Sequence, residues 1–325
     1  MKYILVIYRK DKSGPAEGAR VISESLKQAE VLPIFKSGWR LNFNMLIKNL
    51  IYQRQYHWIG FGFLPDVICF FAFFGASRIS YLRGDIEENY KVDYGVYYKF
   101  ISKFHFYVCS KLDNVFVLTN ALKNKILKNK TGIVPVVVPN FISSKQIEKI
   151  NPSKNNVPNR IVVVGSLNKR KNSLEAVKIS YILKQDYTFD IPVHYYGDGP
   201  LRNEIQDYAE SLSVSINIHG FDPNYLSQIY SEDIVLHCSF SEGLSRSCME
   251  CLARNVRLIS RNWAGCNELI RNGENGLIYN NEEGAAKMIF KYFVSGKVRK
   301  SFLLKHNELE EGIKKFVCAV KNDKI

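Results

Sequence analysis

Two carboxylates eight residues apart, Glu242 and Glu250, are the groups of this chain best placed to do chemistry. They lie in Ser241-Glu-Gly-Leu-Ser-Arg-Ser-Cys-Met-Glu250, directly after an apolar run from Asp233 to Phe240. The run reads as a buried strand, and Arg246 to Ala253 reads as the start of a helix. Glu242 therefore belongs to a strand-to-helix loop and Glu250 to the helix. A loop of small residues ending at a helix N-terminus offers free backbone N–H groups to an anion, most often a phosphate. The two glutamates can then accept hydrogen bonds from hydroxyls on either side of that phosphate. Sugar hydroxyls on one side and ribose hydroxyls on the other would fit.

On an arbitrary surface helix such a pair is two solvated charges; here the surroundings decide. Upstream, Asn159-Arg-Ile-Val-Val-Val-Gly165 reads as a strand and a tight turn, followed by the basic loop Lys169-Arg-Lys171 and a helix. Next come Val193-His-Tyr-Tyr-Gly-Asp-Gly199 and Ile216-Asn-Ile-His-Gly220. Beyond Glu250 lie Arg257-Leu-Ile-Ser260, Ala264-Gly-Cys-Asn-Glu268 and Asn272-Gly-Glu-Asn-Gly276. In this order, across residues 159–280, the segments resemble the donor domain of retaining glycosyltransferases of the GT-B fold, glycosyltransferase family 4. The pair Glu242 and Glu250 resembles that family's E-x7-E element.

The resemblance implies roles. Glu242 would contact hydroxyls of the transferred sugar at the reaction centre, with Gly243 and Leu244 offering backbone N–H groups, and Glu250 would grip the ribose. Gly165 would make the turn that presents the basic loop, and Lys171 matches the family's phosphate-binding lysine. The family commonly has arginine where this chain has Ser166, and Arg170 is the residue that can compensate, since a planar guanidinium binds phosphate oxygens in pairs. Glu268 is a further candidate for sugar or loop contacts. Gly14 and Gly18, after the first strand, resemble the family's glycine loop near acceptor and diphosphate, and Arg83 stands at another strand end. Ser245, Asn255 and Arg257 replace residues frequent in the family without removing a reacting group.

Loss of a nucleoside diphosphate develops negative charge that a metal or fixed cations and amides must stabilise. No two aspartates are separated by one residue here, as metal-using glycosyltransferases of the other main fold require, and the basic loop supplies cations. The expectation is a reaction without metal or other cofactor, with anomeric configuration retained and no dedicated base.

The elements that must position these residues read as an α/β chain, with short apolar strands alternating with helical stretches. Strands are expected at 3–8, 31–35, 66–71, 78–82, 114–118 and 134–138 in the first half. The polar stretch Asn151-Pro-Ser-Lys-Asn-Asn-Val-Pro-Asn159 reads as a linker. The expected organisation is two Rossmann-like, doubly wound parallel-sheet domains facing across a cleft: residues 1–150 on the acceptor side, 151–159 linking, and 160–300 binding the donor. By resemblance, 301–325 forms a helix packing back on the first domain. Residues 58–76 carry one charge over a length that could span a membrane. Pro65-Asp66 and three glycines argue instead for a loop and a buried strand at 66–71. Seven cysteines, mostly inside apolar runs, fit a reducing compartment better than a disulfide framework.

The net charge of +14 is uneven: residues 1–150 hold 22 Lys and Arg against 11 Asp and Glu. The excess peaks at 91–130, where aromatics interleave with lysines. At helical spacing, Tyr94, Tyr97, Tyr98, Ile101, Phe104 and Val108 form one face with Lys99 and Lys103 beside it, and Lys111 follows. Such a helix suits an anionic membrane headgroup region, although a core-facing helix with solvated lysines has the same pattern. No nucleic-acid reading motif accompanies the charge. Cys248-Met-Glu-Cys251 has no second pair at zinc spacing, and the histidines are scattered singly; the resembled family often places one near the donor sugar, for which His105 is a candidate, a helix-surface or core histidine being the more ordinary reading of it.

The sequence therefore leads to a glycosyltransferase moving a sugar from a nucleotide-sugar donor to a lipid-linked glycan such as O-antigen, capsule or lipopolysaccharide. It would act peripherally at the cytoplasmic face of the cell membrane. A same-fold nucleotide-sugar epimerase and a non-catalytic glycan- or nucleotide-binding protein are the alternatives.

Overall fold

The computed structural model describes residues 2–9, 14–26, 28–35, 40–43, 47, 56–72, 74–142, 160–230, 232–254, 256–295 and 306–321. The expected linker 151–159 and Asn255 lie outside them. The chain forms two units: Met1–Phe141 together with Glu310–Ile325, and Ile142–Leu309. Each is built on a six-stranded sheet in which every pairing is parallel.

In the first unit the elements run β1 (Lys2–Arg9), α1 (Gly14–Ser25), β2 (Ala29–Phe35), β3 (Tyr56–Gly60), α2 (Phe63–Phe71) and β4 (Ser77–Leu82). They continue through α3 (Ile86–Tyr94), α4 (Tyr98–Ser110), β5 (Asn114–Val117), α5 (Asn120–Lys128) and β6 (Val136–Val137). Sheet order is β2-β1-β3-β4-β5-β6. The central strands are near-continuous apolar runs because both faces are covered, as parallel sheets require; Ile4, Val6 and Trp58 are fully buried.

One expected strand is a helix. Residues 66–71 lie in α2, and the strand occupies Tyr56–Gly60 instead. Gly62, at φ +110°, turns the chain after β3. Pro65 then falls in the first helical turn, where its missing N–H costs no hydrogen bond. The run Val67-Ile-Cys-Phe-Phe71 is apolar at every position, so its period cannot separate strand from helix. Asp66 decides: its carboxylate is fully buried and accepts hydrogen bonds from Ser80 Oγ and His105 Nε2, both at 2.8 Å. At nine residues α2 is too short to cross a bilayer, and no helix of the described residues is long and apolar enough to do so.

The second unit comprises β7 (Ile161–Val164), α6 (Glu175–Tyr187), β8 (Val193–Tyr196), α7 (Arg202–Ser211), β9 (Ile216–Gly220) and β10 (Ile234–His237). It ends with α8 (Arg246–Ala253), β11 (Arg257–Arg261), β12 (Leu277–Tyr279) and α9 (Glu282–Ser295). Its order, β12-β11-β10-β7-β8-β9, reverses direction between β7 and β10. A doubly wound sheet opens a crevice at the carboxyl ends of the strands where the winding reverses. The loops leaving β7 and β10 are those that carry Lys171 and Glu242.

A last helix, α10 (His306–Lys321), contributes Phe316 to the first unit, where its ring packs 5.6 Å from Tyr81 and 6.0 Å from Phe116. Gly312 lets this helix lie on the backbone, since a Cβ there would come within 2.5 Å of the Pro139 carbonyl oxygen.

Candidate functional site

At the β7–β10 switch point, Lys171 Nζ lies 2.5 Å from Glu242 Oε1, and both side chains are largely withdrawn from solvent. Burial alone would raise the Glu242 pKa; Lys171, His237 and Arg170 overcome it and hold the carboxyl well below its ordinary range. The two loops are also joined through the backbone, where the Phe240 N–H donates to the Arg170 carbonyl at 3.1 Å. Asn168 shapes the basic loop, its Oδ1 accepting from the Lys171 N–H at 2.9 Å.

Glycine makes the arrangement possible. Gly165 stands at φ +132°, with the Lys171 stem over its open face. Its N–H donates to the Tyr196 carbonyl at 3.1 Å, bringing the β7 and β8 turns together. A Cβ on Gly197 would sit 1.8 Å from the Gly165 carbonyl oxygen, so only glycine allows this approach. A shallow recess lies here, lined among others by Gly165, Ser166, Lys171, His237 and Ser239.

The helix bearing Glu250 starts where the sequence places it. Ser245, in extended conformation, caps α8 by accepting from the Cys248 N–H at 3.5 Å. A serine N-cap is a favoured start, so replacing the family's frequent proline here keeps the helix. Gly243 and Leu244 are buried in the loop just before that N-terminus. Glu250 lies in the second turn of α8. Its Oε2 accepts from the Tyr225 hydroxyl, and its Oε1 is 3.5 Å from Arg246 Nη2. Glu268 is exposed in a 3-10 turn, Cys266–Glu268, beyond β11.

Three partners escaped the sequence reading. His237 ends β10 with Nε2 3.5 Å from Glu242 Oε1. Tyr225 and Arg246 hold Glu250. Arg246 is legible at i, i+4 spacing, but Tyr225 and His237 come close only through sheet order.

In the first unit Gly14 is the first residue of α1. Gly18 faces Arg83, a Cβ there falling 3.1 Å from Arg83 Nη2. That nitrogen also donates to Asn140 Oδ1 at 2.9 Å, and the guanidinium lies over the Tyr81 ring at 4.9 Å. Two residues after Arg83, Asp85 is buried and caps α3, accepting from the Glu87 N–H at 3.0 Å.

His105 is a core histidine. Its Nε2 faces Asp66, and its Nδ1 is 2.7 Å from the Tyr90 hydroxyl. Asp66, His105 and Cys109 are, among the described residues, the group of three donors close enough to share an ion, within 4.8 Å. All three are buried in the interior, where Ser80 and His105 engage Asp66 Oδ2 and Tyr90 engages His105 Nδ1, while Asp66 Oδ1 has no hydrogen-bond partner among the described residues.

Helix α4 turns only part of its expected apolar face inward: Val108 is buried and Tyr98 and Ile101 pack against the core, while Phe104 is exposed. Ser102, His105, Val108 and Cys109 face inward. Tyr97, just before it, is 71% exposed, Phe100 is 77% exposed and Tyr107 is 54% exposed. Phe104 and the lysines 99, 103 and 111 are also exposed. The inward pull comes from the Asp66–His105–Tyr90 hydrogen bonds, which a polar interior must satisfy.

Residues 144–302 match the family model described as Glycosyl transferases group 1. The putative glycosyltransferase EpsD of Bacillus subtilis is 27% identical over 128 residues, 39% of this chain and 33% of the relative. An alpha-1,4-N-acetyl-D-galactosaminyltransferase of Campylobacter jejuni, named for a diNAcBac-PP-undecaprenol-linked substrate, is 30% identical over 125 residues, 37% of this chain and 34% of its own. The chain thus spans about a third of the length of these curated relatives. Among solved structures, Anabaena HepE in complex with UDP and glucose is 13% identical with a TM-score of 0.77, covering 99% of each chain. Staphylococcus aureus TarM, solved with alpha-GlcNAc-glycerol and UDP, is 18% identical with a TM-score of 0.62, covering 88% of this chain and 57% of its own. At such identities the likeness is one of fold. The chain has the GT-B fold, and the match to the Glycosyl transferases group 1 model falls within its second unit.

Proposed function

We propose that this protein is a retaining glycosyltransferase that transfers a sugar from a nucleoside-diphosphate donor to a lipid-linked, growing surface glycan without a metal ion. The observation that carries this reading is the Lys171–Glu242 pair at the switch point of the second sheet. A diphosphate entering the β7–β10 crevice meets Lys171 and Arg170 as cations and the α8 N-terminus as a dipole. Glu242 and Glu250 remain as acceptors for hydroxyls on its two flanks. Lys171 moving from Glu242 to phosphate frees that carboxylate for a sugar hydroxyl. The leaving phosphate takes the acceptor proton, so the chain supplies cations, amides and carboxylates and no dedicated base.

The first unit supports the acceptor and location in this reading. Its charge excess suits an anionic acceptor, and the exposed aromatic and lysine face of α4 suits an anionic membrane surface. The polyprenyl diphosphate in the name of the Campylobacter relative is in keeping with such an acceptor. The protein would sit peripherally on the cytoplasmic face of the membrane.

Donor hydrolysis screened across UDP-, GDP- and ADP-sugars, with UDP-sugars first because HepE and TarM were solved with UDP, tests the reading. Release of free sugar with retained configuration from one donor class is expected. Binding without turnover across all donors, with and without polyprenyl-diphosphate glycans, would sink it.

A further inference from the structure

Glu242 is held from beneath as well as by its loop. His237 is 5% exposed at the carboxyl end of β10. Its Nδ1 is 3.2 Å from Ser260 Oγ on β11. The Ser260 hydroxyl also has the Arg261 carbonyl 3.0 Å away as an acceptor, and Trp263 Nε1 donates to it at 3.3 Å. With its single proton on that carbonyl, Ser260 is an acceptor toward the imidazole, an arrangement that suits a proton on Nδ1. On the other side Nε2 is 3.1 Å from Ser245 Oγ, 3.3 Å from Ser239 Oγ and 3.5 Å from Glu242 Oε1. An ionised carboxylate only accepts, so it favours a proton on Nε2 as well.

The titratable groups facing the ring are Cys248 on α8 and Glu242 on the loop, with Lys171 beyond Glu242. Burial opposes a charge on the imidazole, but Cys248 and Glu242 outweigh it and raise the pKa to about 9.

We infer that His237 is a positioning residue: a buried imidazolium that fixes the Glu242 carboxylate and keeps it ionised when Lys171 turns away to a donor phosphate. The inference deepens the reading of this crevice as a donor site. Lys171 carries its charge on a flexible stem and shares Oε1 of Glu242 with His237. A diphosphate competes for that lysine, whereas His237 is fixed between two strands, the loop and the α8 cap. Without a second cation, a buried carboxylate that loses its lysine takes up a proton. A neutral carboxyl is a weaker acceptor for a sugar hydroxyl.

The test begins with the wild-type protein and needs no turnover, so its outcome is independent of glycosyl transfer. With 15N-labelled histidine, NMR should show both His237 nitrogens protonated at pH 7.5, the resonance being assigned by its absence in His237→Gln. Glu242→Gln should lower the His237 midpoint by at least about one pH unit. A neutral Nδ1–H tautomer in the wild type at pH 7.5 overturns the inference, as does a midpoint unmoved in Glu242→Gln. In an activity arm, His237→Gln should lower kcat about tenfold at pH 7, move the acid limb up by about one unit, and change donor KM less than about threefold. A uniform loss with an unchanged acid limb would mark His237 as structural and overturn the inference too.

Discussion

Lys171 and Glu242, 71 residues apart, meet at 2.5 Å over the carboxyl ends of β7 and β10. Each is paired with the other, so a ligand that engages both must first separate them. In the proposed reaction Glu242 is the ionic acceptor near the reacting carbon; replacing it by Gln removes that acceptor, and hydrogen bonds to charged groups contribute ~1.5–3 kcal/mol. Turnover should fall at least about tenfold with the fold intact. Steady-state kinetics beside a thermal melt check this; near-normal transfer by the variant removes Glu242 from the reaction.

Lys171→Ala separates phosphate recognition from base recognition. Affinity for the nucleoside diphosphate should drop about tenfold, the worth of one charge-assisted contact, while affinity for the nucleoside stays unchanged. Calorimetry on the two ligands gives the ratio. In the same preparation, excess EDTA should leave wild-type turnover intact, because Lys171 and Arg170 supply the positive charge. Loss on chelation with recovery on adding Mg²⁺ or Mn²⁺ would refute the metal-free reading.

Gly197→Ala tests the close approach of two turns. The added methyl would meet the Gly165 carbonyl oxygen at 1.8 Å, so one loop must move. Backbone clashes of this kind belong to the class of substitutions costing more than ~3 kcal/mol. The variant should unfold at a lower temperature, and any folded fraction should bind the nucleoside diphosphate poorly, since Lys171 rests on the displaced turn. A melting temperature equal to wild type would show that the β7–β8 contact is looser than described.

The donor half is the more legible part of the sequence. Its strands are short apolar runs, β7 and β8 each followed by a glycine, so the resemblance could be laid on it residue by residue, with Gly165, Lys171 and Glu242 falling on the loops after β7 and β10 and Glu250 on α8. The first half hides its organisation. Residues 67–71 are apolar throughout, and only the partners of Asp66, 14 and 39 residues away, reveal a helix. For the same reason α4 presents Phe100, Phe104 and Tyr107 outward while Ser102 and His105 point in. His237 and Tyr225 were unreadable because sheet order, not spacing, brings them to the two glutamates.

The His194 cluster gives a pH dependence of stability. Burial, Arg160 at 3.2 Å and His219 at 2.9 Å lower the His194 pKa from 6.5 to about 4. The unfolded chain therefore binds this proton more readily than the folded one. The stability at stake is complete above about pH 6.5 and lost as pH falls toward about 4. His194→Asn should make the decline in Tm across this window shallower than in the wild type. Parallel Tm curves would show that His194 titrates alike in both states.

The outward face of α4 makes the last prediction. Tyr97, Phe100, Phe104, Tyr107 and Lys111 follow helical spacing along one exposed stripe, with Lys99 and Lys103 beside it. Aromatic rings seat at the headgroup level, and each lysine near an anionic surface adds about 1 kcal/mol. The protein should sediment with vesicles containing phosphatidylglycerol at low salt and be released at high salt, where the Debye length shrinks below ~8 Å. Changing Lys99, Lys103 and Lys111 together to Glu should abolish sedimentation. Melting should stay within about 1 kcal/mol of wild type, because exposed lysines contribute little to folding. Phe100→Ala with Phe104→Ala should weaken binding at low salt without altering its salt dependence. Donor hydrolysis should survive in both variants while transfer to a vesicle-embedded acceptor falls. If the charge-reversed protein sediments as wild type does, α4 is not the membrane contact and its aromatic stripe serves another partner.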